Sequence, residues 1–133
     1  MISIFVLEDE FLQQSRIEKV ISEIALRRSW KFKGPEIFGK PSQLINAIVE
    51  RGSHQLFFLD IEIKGEEKKG LDIARQIRDK DPHATIVFVT THSEFMPVTF
   101  KYKVAALDFI DKALENTQFV GRIESAIEYT LEK

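Results

Sequence analysis

The hydrophobic residues of the chain fall into two kinds of segment that alternate along its length. Short runs of consecutive apolar residues predict strands that are buried on both faces of a parallel sheet. Stretches with apolar residues three or four positions apart predict amphipathic helices. The strands are predicted at 2–7, 32–38, 56–59, 85–89 and 104–110. The helices are predicted at 11 to about 26, 40 to about 50, 71 to about 79 and 93 to about 102, with a last one after residues 116–117. Strands that alternate with helices in this way predict a doubly wound α/β fold of five strands and five helices.

Polar residues suited to chemistry follow four of the five predicted strands. They are Glu8 and Asp9 after the first strand, Asp60 after the third, Thr90 after the fourth and Lys112 after the fifth. The second strand has no such residue and contains a proline, which suits an edge strand. Ligands of open α/β sheets bind beyond the carboxyl ends of the strands, and the strand order 2-1-3-4-5 brings these four ends together. We therefore predict that order, with a flavodoxin-like topology.

Composition narrows the classes of protein that fit. The chain has 133 residues, 44% of them hydrophobic and 30% charged, which fits a single domain with a substantial core. The net charge of -2 excludes the broad basic surface that direct nucleic-acid binding needs. Without cysteine there are no disulfides or thiolate metal sites, and the expected location is a reducing cytoplasm. Residues 1–7 lack the basic segment of a signal peptide and are predicted as a strand.

In the predicted topology, three carboxylates from Glu8, Asp9 and Asp60 share one pocket. At an effective dielectric of about 20 they repel one another by about 4 kcal/mol per close pair, so we expect a cation to hold them together. Mg²⁺ binds through oxygen ligands and keeps several waters, which suits a shallow site. The backbone carbonyl of Glu62, just past the third strand, offers a further oxygen.

A metal, an exposed carboxylate, an ammonium group and a hydroxyl are the parts that phosphoryl transfer to an aspartate requires. In this hypothesis Asp60 is the nucleophile and becomes an acyl phosphate. Lys112 and Thr90 then hold the transferred group through a compact positive charge and a hydroxyl donor.

These residues give the chain a resemblance to a known family. The acids after strand one, Asp60, Thr90 and the run at 109–112 resemble the receiver domain of bacterial two-component response regulators. Segments 86–94 and 102–110 are similar to the receivers of peptide-pheromone regulators with a LytTR-type DNA-binding domain, which control quorum sensing, competence or bacteriocin production. The resemblance covers essentially the whole chain, so we expect residues 1–133 to form one receiver domain, with any DNA-binding domain outside this chain.

The resemblance implies a role for each residue of the site. Asp60 would accept a phosphoryl group from a membrane histidine kinase. The side chains of Asp9 and Asp60 and the backbone carbonyl of Glu62 would bind Mg²⁺, and Glu8 would act partly through water. Such a protein is a regulatory phosphoacceptor and not an enzyme, apart from its self-catalysed uptake and loss of phosphate.

The resemblance also implies a conformational switch. Thr90 would move toward the phosphoryl group and Phe109 would turn inward behind it, because the added charge and acceptor oxygens bias a two-state element. The face of helix four, strand five and helix five would then favour a homodimer. Contact with DNA would come only through a C-terminal domain, and no contact with the membrane is expected.

Two features depart from the family pattern. Most receivers have a cis proline after the lysine, whereas Ala113 follows Lys112 here. A cis bond before alanine would cost about 2.5–4 kcal/mol, so we expect a trans peptide and altered loop geometry. The loop from Asp60 to Gly70 is also slightly longer than usual, lacks the family's proline and is predicted to be mobile.

Two other functions fit part of the pattern. A haloacid-dehalogenase-type phosphohydrolase also uses a strand-end aspartate with magnesium, but it needs a second aspartate two positions later, where this chain has Glu62, and its nucleophile follows the first strand. A receiver-like module that dimerises without phosphorylation would not need the complete set of site residues. His92, beside Thr90, is predicted to be a solvated loop histidine without a direct role.

Overall fold

The computed structural model describes residues 1–63 and 69–133. The strands are β1 (Ser3–Leu7), β2 (Lys33–Phe38), β3 (Gln55–Leu59), β4 (Thr85–Thr90) and β5 (Asp108–Asp111). The helices are α1 (Phe11–Arg28), α2 (Pro41–Ala47), α3 (Lys69–Lys80), α4 (Met96–Thr99) and α5 (Asn116–Leu131), with a 3₁₀ turn at Ser93–Phe95. Within the described ranges, the predicted alternation of five strands with five helices is confirmed.

The five strands form one parallel sheet in the order β2-β1-β3-β4-β5, as predicted. Leu7 at the end of β1 pairs with Leu59 at the end of β3, and Leu59 pairs with Phe88 of β4. Thr90, the last residue of β4, pairs with Asp111, the last residue of β5. This register places the carboxyl ends of β1, β3, β4 and β5 at one edge, and β2 lies at the sheet's side edge as its proline indicated.

Hydrophobic residues cover both faces of the sheet because each strand turns successive side chains to opposite sides. One face packs against α1 and α5 through alternate strand residues, including Ile4, Val6, Phe58, Val87 and Val89. The other face packs against α2 and α3 through the residues between them, including Phe5, Leu7, Phe57, Leu59 and Phe88. All five residues of β3 are buried, so the residue that follows it is fixed in position by a rigid strand.

The region between β4 and β5 differs from the prediction. The predicted helix to residue 102 is only a 3₁₀ turn and the four-residue α4, because later residues form tighter turns, such as the bond from the Lys101 N–H to the Val98 carbonyl. The strand predicted from residue 104 begins at Asp108. Lys103 and Ala105 have φ values of 53° and 51°, in the left-handed region, which is incompatible with an extended strand.

Two helix ends also differ from the prediction. Helix α2 ends at Ala47, because Ile48 is already extended, and Val49 is 88% exposed although the apolar pattern predicts a buried residue there. Helix α5 is capped by Glu115, whose carboxylate accepts a hydrogen bond from the Thr117 N–H at 3.0 Å. The cap therefore precedes the Asn116–Thr117 pair that the sequence suggested.

Candidate functional site

The acids that follow β1 and β3 meet at the carboxyl edge of the sheet. Carboxylate oxygens of Glu8, Asp9 and Asp60 lie within 4.8 Å of one another. Glu8 is 1% exposed and Asp60 is 6% exposed, while Asp9 is half-buried. They line a cleft of about 590 Å³ together with Glu62, His92 and other residues. The sequence predicts that these three acids share one pocket, and their positions agree with it.

The Lys112 ammonium lies between two of the acids. Its Nζ is 2.5 Å from Glu8 Oε1 and 2.7 Å from Asp60 Oδ2, and the residue is 8% exposed. Burial disfavours the ammonium, but the Asp60 and Glu8 carboxylates outweigh this effect and raise the pKa of Lys112. Lys112 is therefore held as a cation directly beside Asp60.

Burial of the Glu8 carboxylate carries a desolvation cost that its partners do not fully offset. Its burial raises the pKa of its carboxyl above 4.5, although Lys112 and the Glu10 N–H favour the ionised form. The Glu10 N–H donates to Glu8 Oε2 at 3.0 Å. A buried carboxylate in this state gains from any further positive charge that enters the cleft.

One observation in particular indicates that the cluster can bind a divalent cation. Asp60 Oδ1 is buried and has no hydrogen-bond partner among the residues that the structure describes, whereas Oδ2 is bonded to Lys112. A buried carboxylate oxygen without a donor is costly, and a metal ion satisfies it. One ammonium beside three carboxylates also leaves an excess of negative charge. The donor set is composed of oxygens, which is the set that Mg²⁺ prefers.

Thr90 is the last residue of β4 and is completely buried, and the two residues after it, Thr91 and His92, line the cleft. Its Oγ1 accepts a hydrogen bond from the His92 N–H at 3.1 Å, and its carbonyl accepts one from the Lys112 N–H at 3.0 Å. The backbone of Thr90 thus connects β4 directly to Lys112. The hydroxyl retains its own hydrogen as a donor for another acceptor.

Phe109 lies on β5, at the level of Phe88 in β4. Its ring is half-buried, with its centroid 6.0 Å from that of Phe88 at an interplanar angle of 47°. It lines a surface groove of about 480 Å³ that also includes Met96, Phe100 and Leu107. Phe109 therefore connects the sheet interior to the α4–β5 surface.

His92 has contacts that the sequence did not indicate. Its Nε2 is 3.3 Å from Glu62 Oε2 and its Nδ1 is 3.1 Å from Glu94 Oε1. The side chain lines the cleft and is 31% exposed, so it is not simply a solvated loop residue. The contacts of a single loop histidine cannot be predicted from hydrophobic periodicity. Glu62 lies beside His92 only in the folded chain.

Gly70 is a second residue whose importance the sequence did not indicate. A Cβ atom at this position would lie 1.7 Å from the Asp60 carbonyl oxygen, which is far inside contact distance. The Gly70 N–H donates to the Ile61 carbonyl at 2.7 Å. The start of α3 therefore passes directly against the backbone of Asp60, and only glycine fits there.

The two departures from the family pattern have different outcomes. Among the described residues the cis peptide bond is Gly34–Pro35, so the Lys112–Ala113 bond is trans, as expected. The prediction of a mobile loop after Asp60 falls mainly on residues 64–68, which lie outside the described residues.

Comparison with known proteins identifies the family. Residues 4–124 match the family described as "Response regulator receiver domain". The chain belongs to this family. It is 34% identical over 109 residues to Accessory gene regulator protein A of Staphylococcus epidermidis, a match that covers 82% of this chain and 45% of that protein. The chain spans about half the length of the curated relatives it matches.

Solved receiver structures share the fold. The response regulator receiver domain from Rhodospirillum rubrum has a TM-score of 0.73 and 20% identity, with 98% of this chain and 94% of that chain covered. The response regulator TrrA of Thermotoga maritima, solved in complex with Mg²⁺ and BeF, has a TM-score of 0.64 and 21% identity, with coverage of 95% and 99%. Phosphorylation and Mg²⁺ binding are typical of this regulatory family. In the described part of the chain, no helix has both the length and the hydrophobicity to cross a bilayer.

Proposed function

We propose that this receiver domain accepts a phosphoryl group on Asp60 from the phosphohistidine of a sensor kinase. The observation that carries the proposal is the state of the Asp60 carboxylate, which is buried with one oxygen bonded to Lys112 and the other without a donor among the described residues. A structural carboxylate in a core has both oxygens satisfied. This one is arranged for a group that has yet to bind.

The transfer is a displacement at phosphorus. The phosphorus–oxygen bond to Asp60 forms as the phosphorus–nitrogen bond of the donor breaks, and the freed imidazole takes a proton from solvent. Lys112 is already within 2.7 Å of Asp60, so its ammonium is positioned for the negative oxygens of the incoming group. Thr90 supplies a hydroxyl donor from the end of β4.

Asp9, Asp60 and the backbone carbonyl of Glu62 would hold Mg²⁺, with Glu8 acting partly through water. The bound ion would screen the negative charge between the acids and the phosphoryl donor. Glu8 holds Lys112 in place from the opposite side at 2.5 Å. The carboxylate cluster and the TrrA complex with Mg²⁺ and BeF support this assignment.

The response to phosphorylation would proceed through Thr90 and Phe109. Thr90 moves toward the phosphoryl group, and Phe109 turns inward from the groove that it lines. The face formed by α4, β5 and α5 then pairs with a second copy. Around the groove this face exposes Phe100 and Met96, which are 77% and 50% exposed.

The output would be transcriptional control in a cytoplasmic regulator of the quorum-sensing type. Accessory gene regulator protein A is about twice as long as the match, so the present chain corresponds to one part of such a protein. A membrane histidine kinase would be the phosphoryl donor. DNA binding would belong to a C-terminal domain.

Acetyl phosphate with Mg²⁺ tests the proposal. We expect intact-mass spectrometry to show one phosphoryl group on the wild type and none on Asp60→Asn. The matched control is Asp72→Asn, which alters an exposed acid on α3. A phosphoryl group on Asp60→Asn would contradict the assignment. Repeated turnover of a phosphate ester would indicate a hydrolase instead, and dimerisation without any modification would indicate a phosphorylation-independent module.

A further inference from the structure

Lys112 is held at the site although the residue after it is alanine, which restricts the backbone less than proline does. Strand β5 ends at Asp111, and Ala113 is exposed and joined to Lys112 by a trans peptide. The Lys112 side chain must nevertheless stay between two buried carboxylates. Within the loop the Ala113 and Leu114 N–H groups donate to Asp111, but the N–H and the carbonyl of Lys112 itself have their partners outside the loop.

Two hydrogen bonds provide those partners from different elements. On one side the Lys112 N–H donates to the Thr90 carbonyl of β4 at 3.0 Å. On the other side its carbonyl accepts a hydrogen bond from the Arg16 guanidinium, with 2.8 Å between Nη1 and the oxygen. Arg16 lies in α1, which starts directly after the acids of the cleft.

Arg16 is itself fixed in place. Its guanidinium carbon lies 3.7 Å from the ring centroid of Phe119, a fully buried residue of α5. Stacking on the ring aligns the guanidinium, so that little side-chain freedom remains to be lost when it donates its hydrogen bond. Burial lowers the pKa of Arg16, yet an arginine stays charged at any physiological pH.

We propose that Arg16 is a positioning residue for Lys112. It acts through the Lys112 carbonyl and holds the ammonium at the distance from Asp60 that the transferred phosphoryl group requires. The inference rests on the proposed function, because the benefit of a fixed Lys112 is realised when Asp60 carries the group. The charge-assisted hydrogen bond from the stacked guanidinium restrains the Lys112 backbone, as a proline after the lysine would do.

The experiment compares Arg16→Gln and Arg16→Lys with Arg27→Gln. Arg27 is an exposed residue of the same helix that pairs with Glu124 of α5, so the control removes an arginine between the same two helices without touching Lys112. Calorimetry measures the affinity for magnesium chloride alone, and then for beryllofluoride at saturating magnesium. NMR hydrogen exchange measures the Lys112 amide.

We expect Arg16→Gln to weaken beryllofluoride binding about tenfold, the effect of losing one hydrogen bond from a charged donor, and to leave magnesium affinity unchanged. The Lys112 amide should exchange about tenfold faster, because only one of the two peptide groups that flank Lys112 is then still held by a partner in another element. Arg16→Lys keeps a donor without the planar stack and should lie between Arg16→Gln and the wild type. Arg27→Gln should match the wild type in all three measurements.

Equal losses of magnesium and beryllofluoride affinity, or unchanged exchange at Lys112, would show that Arg16 only packs α1 against α5. If Arg16→Gln does not fold, Arg16→Lys decides by the same comparison. Failure of the proposed function has a separate signature, since the wild type itself would then bind no beryllofluoride. The exchange rate of Lys112 still tests the positioning role in that case.

Discussion

At the scale of single residues, the burial of the Glu8 carboxylate is only partly compensated by its partners. Its carboxyl has a pKa raised above 4.5 by burial, which Lys112 only partly offsets. It nevertheless holds the Lys112 ammonium from the side opposite Asp60. Burying the Glu8 carboxylate therefore costs stability, but it keeps Lys112 in place. Functional sites commonly contain such locally unfavourable features.

The first prediction concerns the pH dependence of stability through Glu8. Because the folded-state pKa of Glu8 is raised, the folded chain binds more protons than the unfolded chain as the pH rises from 4.5 through the raised pKa. The stability that Glu8 contributes is present below pH 4.5 and is lost as the pH rises through the raised pKa. In magnesium-free buffer, Glu8→Gln should gain in stability relative to the wild type over this window, as measured by urea unfolding.

Glu10→Gln is the matched control, because Glu10 is exposed beside the same cleft. A difference between Glu8→Gln and wild type that stays constant as the pH rises from 4.5 would contradict the prediction. Adding magnesium should reduce the difference, because the ion stabilises the ionised wild-type carboxylates.

The second prediction concerns the close approach of Gly70 to Asp60. In Gly70→Ala the added Cβ would overlap the Asp60 carbonyl, so the strand end or the start of α3 must move. We expect a loss of stability of about 1–3 kcal/mol, the typical cost of overpacking, and weaker magnesium binding. Denaturant unfolding and calorimetry measure the two effects.

Gly121 provides the control for Gly70. It lies in α5, where an added Cβ would meet no atom of the described residues within 4 Å. Gly121→Ala should therefore stabilise the helix by about 0.5–1 kcal/mol and leave magnesium binding unchanged. If both substitutions had the same sign of effect on stability, the steric argument for Gly70 would be wrong.

At the scale of elements, Arg78 of α3 joins three segments of the chain. Its guanidinium donates to backbone carbonyls at distances of 2.7 to 3.2 Å. These acceptors are Val104, Asp81, Pro82 and Ala84, and the Ala105 carbonyl is a longer contact at 3.5 Å. Burial lowers the pKa of Arg78, with Asp81 opposing the shift. These bonds fix the turn before β4 and the irregular segment before β5, whose Leu107 N–H also donates to the Ile86 carbonyl of β4.

The third prediction follows from this set of hydrogen bonds. Arg78→Met should destabilise the domain by about 2–3 kcal/mol, because several carbonyls lose a charged donor at once. Arg75→Met is the control, since Arg75 makes one bond to a carbonyl, that of Tyr102, and an exposed ion pair with Asp79. Its loss should cost under about 1 kcal/mol. Urea unfolding of both variants checks the difference, and equal effects would refute it.

At the scale of the whole molecule, the α4–β5–α5 face combines exposed apolar residues with a groove that Phe109 lines. Phe100 and Leu107 lie at the groove, and Phe109, the residue proposed to turn inward, lines it. Arg122 of α5 holds β5 beside it through the Asp108 carboxylate, with 2.7 Å between Nε and Oδ2. A change at Asp60 can reach this surface through β4 and β5, which pair along their length.

The fourth prediction places the dimer contact on this face. In the presence of Mg²⁺ and beryllofluoride, the wild type should dimerise, and Phe100→Ser should weaken the dimer by about tenfold or more, because an exposed aromatic anchor is lost. The control is Leu26→Ser on α1, a residue that is 84% exposed outside the groove. Analytical ultracentrifugation measures the dimerisation of both variants. If only Leu26→Ser disrupts the dimer, the interface includes α1 and the prediction is wrong.

The sequence by itself determined the alternation of elements, the strand order and the four strand ends that meet at the cleft. Periodicity of apolar residues encodes which faces are buried, and a carboxylate after a fully apolar strand is conspicuous because burial there is costly. Asp60, Glu8, Asp9 and Lys112 could therefore be predicted to lie together, and their observed positions agree.

Only the tertiary structure decided how those residues are held. Lys112 and Asp60 are 52 positions apart, and Arg16 and Lys112 are 96 apart, so no local pattern specifies their distances. The same holds for other features. The space at Gly70 is limited by the Asp60 backbone, and His92 contacts the Glu62 side chain, although the residues of each pair are not neighbours in the chain. The short length of β5 is likewise not given by its local pattern. Local patterns record whether a residue is buried, whereas the identity of its neighbour is fixed only when distant segments pack together.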